Sequence, residues 1–222
     1  MDRGTSLRMT CPDCAGGRSG EAWTPGPAAG EVWSEADLPR LLPLLARAPR
    51  VELEIGSGSG TFLAAYCAAH RDTLVIGTEI KLERCRKAAR KLGGTGTGNG
   101  VIVRARAEAV LARLAPSSLN AVHVYFPDPW PKRRHRRRRL LRKGVIENLV
   151  RRLRPGGCVH LATDFFDYYL QVVVLLLLQP DLELDRDPQR VPAYAAAELS
   201  RYGPRLTALG KSIHYATARR RE

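Results

Sequence analysis

Residues 51–60 read VELEIGSGSG: a short strand candidate, Val51 to Ile55, runs straight into glycines at 56, 58 and 60. The residues after that turn, Thr61 to His70, suit a helix. A second buried-strand candidate follows at Thr73 to Thr78, and Glu79 leads into a basic helical segment, KLERCRKAARKL, at 81–92. This is strand, loop, helix, strand, helix. Further strand candidates lie at Val101 to Val103, Ala121 to Phe126 and Cys158 to Ala162. Between the last two, Leu141, Val145, Leu149 and Leu153 repeat mainly at i+4, a helix stripe that Pro155-Gly156-Gly157 should terminate. The glycine-rich segment Gly93 to Gly100 follows a helix and precedes a strand, which is a connector's position and not a phosphate loop's. Strands alternating with helices predict an α/β, Rossmann-like fold with a mostly parallel sheet and helices on both faces. Ligands should then gather at the carboxyl ends of the strands.

Upstream, Ser34 to Ala48 offers a Ser cap before apolar residues, and Pro39 and Pro43 limit any helix there to short pieces. Residues 1–30 carry many glycines and prolines and no apolar period, so a poorly ordered extension is expected before a folded domain at 31–222. The length allows one domain. With 36 Lys plus Arg against 22 Asp plus Glu the formal charge is +14, and KRRHRRRRLLRK at 132–143 holds nine of the basic residues and no acid. A block like that attracts a polyanion. Without it the chain carries +5, which by itself calls for no special partner. The longest purely apolar run, Val172 to Leu178, has seven residues against roughly 20 for a membrane span. No signal-peptide core opens the chain, so a cytoplasmic protein with reduced thiols is expected. Cys11 and Cys14 form a lone C-x-x-C with no second pair, so no metal site is expected.

The glycine turn has three readings: a dinucleotide loop, an S-adenosylmethionine loop, or a structural turn. Glycines at 56, 58 and 60 followed by Thr61 miss the G-x-G-x-x-G spacing of a dinucleotide site. Glu54 just before the turn would repel a pyrophosphate but suits the cationic amine and sulfonium of S-adenosylmethionine. Glu79 closes the next strand, where a carboxylate can accept from two ribose hydroxyls. The two carboxylates together favour S-adenosylmethionine. At the end of the fourth strand stands YFPDPWPK, residues 125–132, directly before the arginines. Its three prolines hold an extended backbone, keeping Asp128 and the rings of Phe126 and Trp130 near the strand tip. A base could stack there beside a carboxylate and Lys132. The next strand tip reads Ala162-Thr163-Asp164.

With LEIGSGSG at 53–60, IGTE at 76–79, FPDPWPKRRH at 126–135, LRPGG at 153–157 and ATD at 162–164, the chain resembles bacterial tRNA (guanine-N7-)-methyltransferases, the TrmB family. The resemblance implies a class I methyltransferase fold that moves a methyl group from S-adenosylmethionine to N7 of a guanine in the tRNA variable loop. It implies that Glu54, Gly56, Gly58, Gly60, Glu79 and Asp128 contact the cofactor, with Asp128 also catalytic. Lys132, Arg133, Arg134, His135, Arg136, Arg137 and Asp164 would contact tRNA. No obligate protein partner is implied. The chain departs from the family pattern at two places. Arg106 stands at the adenine-facing position where the family has an acid or Asn. Ser200-Arg201-Tyr202-Gly203 stands for Thr-x-[Phe/Tyr]-Glu, so Ser200 and Tyr202 keep substrate groups while Gly203 lacks the carboxylate. These departures leave two alternatives open: a methyltransferase with an altered RNA target, and a catalytically silent RNA-binding protein of the same fold.

Overall fold

The computed structural model describes residues 30–185 and 200–222; the expectations for the N-terminal extension, with Cys11 and Cys14, lie outside the described residues. The strands are β1 (Val32–Ser34), β2 (Arg50–Ile55), β3 (Thr73–Glu79), β4 (Gly100–Arg104), β5 (Leu119–Tyr125), β6 (Leu153–Thr163), β7 (Leu182–Leu184) and β8 (His214–Arg220). The helices are α1 (Leu41–Arg47), α2 (Thr61–Ala69), α3 (Leu82–Thr95), α4 (Ala107–Leu111), α5 (Lys143–Arg152), α6 (Phe166–Leu177) and α7 (Gly203–Ala208). One sheet runs β1-β4-β3-β2-β5-β6-β8-β7. All neighbours from β1 to β6 pair in parallel, and β8 is antiparallel to both β6 and β7.

The central strands are buried on both faces, as a parallel sheet requires, and the polar residues that interrupt them, Glu52, Glu54, Asn120 and His123, are buried as well. Leu53 and Ile55 of β2, Leu74 and Ile76 of β3, and Val101 and Val103 of β4 turn to one face, where they meet α4, α5 and α6 through Val110, Leu149 and Val172. Val75 and Ile102 turn to the other face, against α2 and α3 through Phe62, Leu63, Cys85 and Leu92. From β2 the chain winds outward to β3 and β4 on one side, then returns to β5 and β6 on the other. The order therefore reverses between β2 and β5, which opens a crevice at their carboxyl ends.

Upstream, Ser34 donates its backbone N–H and its hydroxyl to the Asp37 carboxylate, at 2.9 and 2.8 Å. A 3-10 turn over Glu35–Arg40 and the short α1 follow, the broken pieces that the two prolines dictate. One boundary differs from expectation. The α5 stripe stops at Arg152, and the chain is already extended from Leu153, so Pro155-Gly156-Gly157 lie inside β6. The Leu119 pairing with Leu153 holds the strand there across a register shift. No helix among the described residues is long and apolar enough to cross a membrane; the run Val172 to Leu178 falls on the end of α6.

Gly60 fixes how α2 and α3 meet. Its φ of +72° belongs to the left-handed region, and a Cβ built on it would sit 2.5 Å from the Ala88 Cβ of α3. Gly60→Ala must strain the backbone and push the helices apart, which together should cost about 2–4 kcal/mol. A melting temperature equal to that of the unsubstituted protein would contradict this packing.

Candidate active site

β2 carries Glu54 to the mouth of the crevice, and the turn after it passes through Gly56 (φ +79°) and Gly58 (φ +55°) before α2 starts. The N–H groups of Gly56 and Ser57 both donate to the Thr78 carbonyl, at 2.9 and 2.8 Å, which pins the turn to β3. A cleft opens over this turn, lined by Glu54, Gly56, Ser57, Gly58, Phe62, Arg84, Lys87 and Tyr125 on one side and by Ser200, Arg201 and Tyr202 on the other. Expected cofactor and substrate residues thus share one cleft: Glu54, Gly56 and Gly58 with Ser200 and Tyr202.

The electrostatics of the cleft centre on Glu54. It is 4% exposed, and among the described residues its Oε2, like the Oγ of neighbouring Ser57, has no hydrogen-bond partner. Burial first, opposed by the nearby Ser57 hydroxyl and joined by the charge of Glu79, raises the Glu54 carboxyl to about 7. A buried carboxylate oxygen without a donor is costly, so the arrangement fits a ligand that brings a cation or N–H donors. Glu79 is better satisfied. Its Oε1 accepts from the N–H groups of Ile80 and Lys81, at 2.8 and 2.9 Å, and its Oε2 lies 3.5 Å from Arg84. The Oε2 keeps lone-pair capacity for a hydroxyl donor. Gly60 shapes the turn from behind. Arg106 is exposed, precedes α4 and does not line the cleft.

Below the cleft a buried chain of polar groups links β2 to β5. Arg50 donates to Glu52 Oε1 at 3.1 Å, Glu52 Oε2 lies 2.8 Å from His123 Nε2, and His123 Nδ1 lies 3.0 Å from the Tyr125 hydroxyl. Burial opposes ionisation of Glu52, but the hydrogen bond and charge of His123, together with Arg50, hold its carboxyl down at about 2. Tyr125, which lines the cleft, is thereby fixed at its inner end. The sequence pattern did not single out Ser57, Tyr125 or this chain, since their role depends on strands meeting in space.

The loop after β5 is bent sharply. Phe126 (φ +50°) and Trp130 (φ +43°) are both in the left-handed region, uncommon for such bulky residues. Strain of this kind persists where surrounding contacts over-determine it. Phe126 N–H donates to the Ala162 carbonyl at 2.7 Å, and its ring stands 6.0 Å from the Tyr202 ring. Trp130 is engaged elsewhere, edge-on to His135 at 5.9 Å and under the Arg138 guanidinium at 5.0 Å. Of the two rings expected at this strand tip, Phe126 therefore stands against Tyr202 of the cleft wall and Trp130 does not, while Phe62 and Tyr125 line the cleft themselves. Asp128, between the two bends, is exposed, as are Asp164 and Lys132; none of the three lines the cleft itself.

Arg139 holds this loop. Although it belongs to the arginine run, it is 1% exposed. Its Nε donates to the Pro129 carbonyl at 2.8 Å, its Nη1 to Gln171 Oε1 at 2.6 Å and its Nη2 to Asp167 Oδ2 at 2.6 Å. The guanidinium lies 4.8 Å from the Tyr168 ring, whose hydroxyl accepts from the Leu141 N–H. Arg136 adds a second bond to Asp167 at 2.8 Å, and these partners keep the Asp167 carboxyl below the usual range. The run is thus divided. Arg139 is a buried clamp between the PDPWP loop and α6, whereas Lys132, Arg133, Arg134, Arg137 and Arg138 are exposed. His135 is half-buried against Trp130.

On the facing wall, Ser200 Oγ accepts from the N–H groups of Tyr202 and Gly203, at 3.3 and 3.0 Å, and so starts α7. Gly203 is buried there. The hydroxyl proton of Ser200 stays available to a ligand.

Residues 48–216 match the model of a family described as "Putative methyltransferase". A tRNA (guanine-N(7)-)-methyltransferase from Thiobacillus denitrificans is 40% identical over 175 residues, covering 78% of this chain and 76% of that protein. A protein of the same name from Cutibacterium acnes is 35% identical, covering 84% and 68%. One from Corynebacterium diphtheriae is 40% identical over 132 residues; the chain spans about half of its length, 51%. Among solved structures, an aminoglycoside resistance methyltransferase superposes with a TM-score of 0.58 at 20% identity, covering 82% of this chain and 93% of that one. A 16S rRNA adenine-N(1)-methyltransferase variant from Catenulisporales acidiphilia, with cosubstrate SAM, superposes with a TM-score of 0.51 at 18% identity, covering 84% and 92%. The sheet order and these neighbours make the fold that of class I methyltransferases.

Proposed function

This chain belongs to the family of the tRNA (guanine-N(7)-)-methyltransferases, and on that premise we propose that it methylates N7 of a guanine in the variable loop of tRNA. S-adenosylmethionine, when bound, supplies an electrophilic methyl group on a cationic sulfur.

The chain's own residues have a limited task, because neutral guanine N7 already presents an in-plane lone pair. No strong base is needed; the groups must align N7, methyl carbon and sulfur for in-line displacement. With the donor bound, the transfer would form the N7–carbon bond as the carbon–sulfur bond broke, the electron pair leaving with sulfur. Backbone at Gly56 and Gly58 lets the donor approach closely. Glu54 receives its cationic amine, Ser57 offers a hydroxyl, and Glu79 Oε2 accepts from the ribose. Phe126 and Tyr202 can flank the purine. Positive charge passes onto the base during transfer, and Asp128 on its strained loop favours that charge throughout. Asp164 and Ser200 hold the purine's remaining polar edge. Lys132, Arg133, Arg134 and Arg137 lie along the RNA backbone, with Arg136 shared between RNA and Asp167.

The observation that carries this reading is the buried Glu54 carboxyl in a glycine-walled cleft, with its Oε2 lacking a hydrogen-bond partner among the described residues. It predicts a pH dependence whose sign can be worked out. Glu54 titrates at about 7 in the free protein, and pairing with a cation requires its ionised form. Cofactor affinity should therefore rise as the pH increases from 6 to 8, with a proton released on binding below 7. Glu54→Gln should bind weakly and without that dependence. For the cofactor-free protein the same raised value costs stability as the pH climbs from about 4.5 towards 7, since the unfolded carboxyl ionises first. Calorimetry in two buffers of different ionisation enthalpy reads the proton directly. Affinity that is flat from pH 5.5 to 8 would mean that Glu54 does not receive the cation.

A further inference from the structure

The +5 that remains outside the arginine run is not evenly spread. α3 and the residue before it carry Lys81, Arg84, Arg86, Lys87, Arg90 and Lys91, with Glu83 as the one acid. Glu83 is spent on Arg86, at 2.8 Å. Lys87, Arg90 and Lys91 fall three and four residues apart, so they share a helix face. Arg201, from the far wall of the cleft, comes over that face, and the four cations with Ser59 line a cavity of about 400 Å³. None of the four is in an ion pair among the described residues, and no acidic side chain lines the cavity. Lys91 Nζ donates to Thr61 Oγ1 at 2.6 Å, at the first residue of α2. Burial, then the charges of Arg201 and Lys87, push the Lys91 ammonium below its usual value, as crowding of uncompensated cations should.

This cavity is continuous with the cleft already described, since Ser59, Lys87 and Arg201 line both. It also lies on the opposite flank from the arginine run. The run follows β5, α3 follows β3, and the glycine turn of β2 stands between them in the sheet. Two strand spacings, roughly 10 Å, separate β3 from β5. A guanine entering the cleft must bring its flanking backbone across that gap, so one phosphate stretch reaches the arginine run and the other reaches α3.

We propose that Lys87, Arg90, Lys91 and Arg201 form a second RNA-backbone site, which takes phosphates on the β3 side of the cleft while the arginine run takes those on the β5 side. The proposal rests on the tRNA reading above, and its test separates the two. Arg90→Gln/Lys91→Gln removes two charges without touching the cleft-lining Lys87, and Arg86→Gln, on the Glu83-paired side, is the control. Unmodified tRNA is the probe, in binding titrations over a range of salt and in methyl transfer. Each lost phosphate contact should make the slope of log affinity against log salt shallower by about 0.7–0.9. The double variant should thus lose about 1.4–1.8 from the slope and raise KM for tRNA roughly tenfold at low salt. Its cofactor affinity and its kcat at saturating tRNA should match those of the unsubstituted protein, and Arg86→Gln should leave the slope alone. A slope and KM unchanged in the double variant, while the unsubstituted protein methylates tRNA, would overturn the proposal. If instead the unsubstituted protein fails to methylate tRNA but the double variant still loses slope, the RNA site stands and the methylation reading falls.

Discussion

Asp128→Ala is expected to abolish measurable methyl transfer, a loss of at least about 10²–10³-fold in kcat, with the melting temperature unchanged. The size follows from the role proposed for it: a preorganised group facing developing charge of the opposite sign is worth about 2.7–4 kcal/mol once the bound substrate excludes water. The unchanged melting temperature follows from its surroundings. Asp128 is exposed, and among the described residues no hydrogen bond or ion pair involves it, so truncation leaves no buried partner behind there. Cofactor affinity should change little, because the cleft over the glycine turn is lined without it. Single-turnover assays at saturating cofactor and tRNA separate this loss from weakened binding. Turnover within a few-fold of the unsubstituted protein would remove Asp128 from the mechanism.

Arg139→Ala should act through both stability and catalysis. Its side chain is buried and makes three hydrogen bonds, to Pro129 O, Gln171 Oε1 and Asp167 Oδ2. Removing it strands the half-buried Pro129 carbonyl and Gln171 amide oxygen and leaves a hole beside Tyr168, while Asp167 keeps Arg136. Two unsatisfied acceptors and the hole together cost about 3 kcal/mol. For a chain of this size that lowers the melting temperature by roughly 6–12 °C. The loop that Pro129 closes also carries Asp128, so kcat should fall further than the unfolded fraction explains. Arg139→Lys should not rescue either effect, because an ammonium cannot reach three acceptors set out for a planar fork. Thermal melts, together with kcat measured well below the melting temperature, test both halves. A stable Arg139→Ala protein with normal kcat would show that the clamp holds nothing that matters.

How far the sequence alone reaches depends on whether a signal is local. β3, β4 and β5 are legible because each carries a short, mostly apolar run, and β2 because Val51, Leu53 and Ile55 lead into glycines that announce the turn. The proposed roles of Glu54 and the glycines also start from a local signal, although the glycine turn alone leaves three readings and only Glu54 together with Glu79 favours one. β1 and β7 have three residues each, too few for any period, and are strands only because β4 and β8 pair with them. Pro155-Gly156-Gly157 reads as a helix stop, and a local pattern does not reveal that Leu119 already holds Leu153 in a ladder. Arg139 looks the same as Arg136, Arg137 and Arg138 in the sequence. Its different fate is decided by Gln171 and Asp167, 32 and 28 residues away. The basic face of α3 was visible as composition, but its meaning came from Arg201, which the fold carries across the cleft to meet it.

The central claim is most directly tested by incubating the protein with unmodified tRNA and methyl-labelled S-adenosylmethionine, digesting the product to nucleosides and separating them. The expected result is label in 7-methylguanosine, arising from the variable loop. Label in another nucleoside, or no label in tRNA under conditions where the cofactor binds, would contradict it.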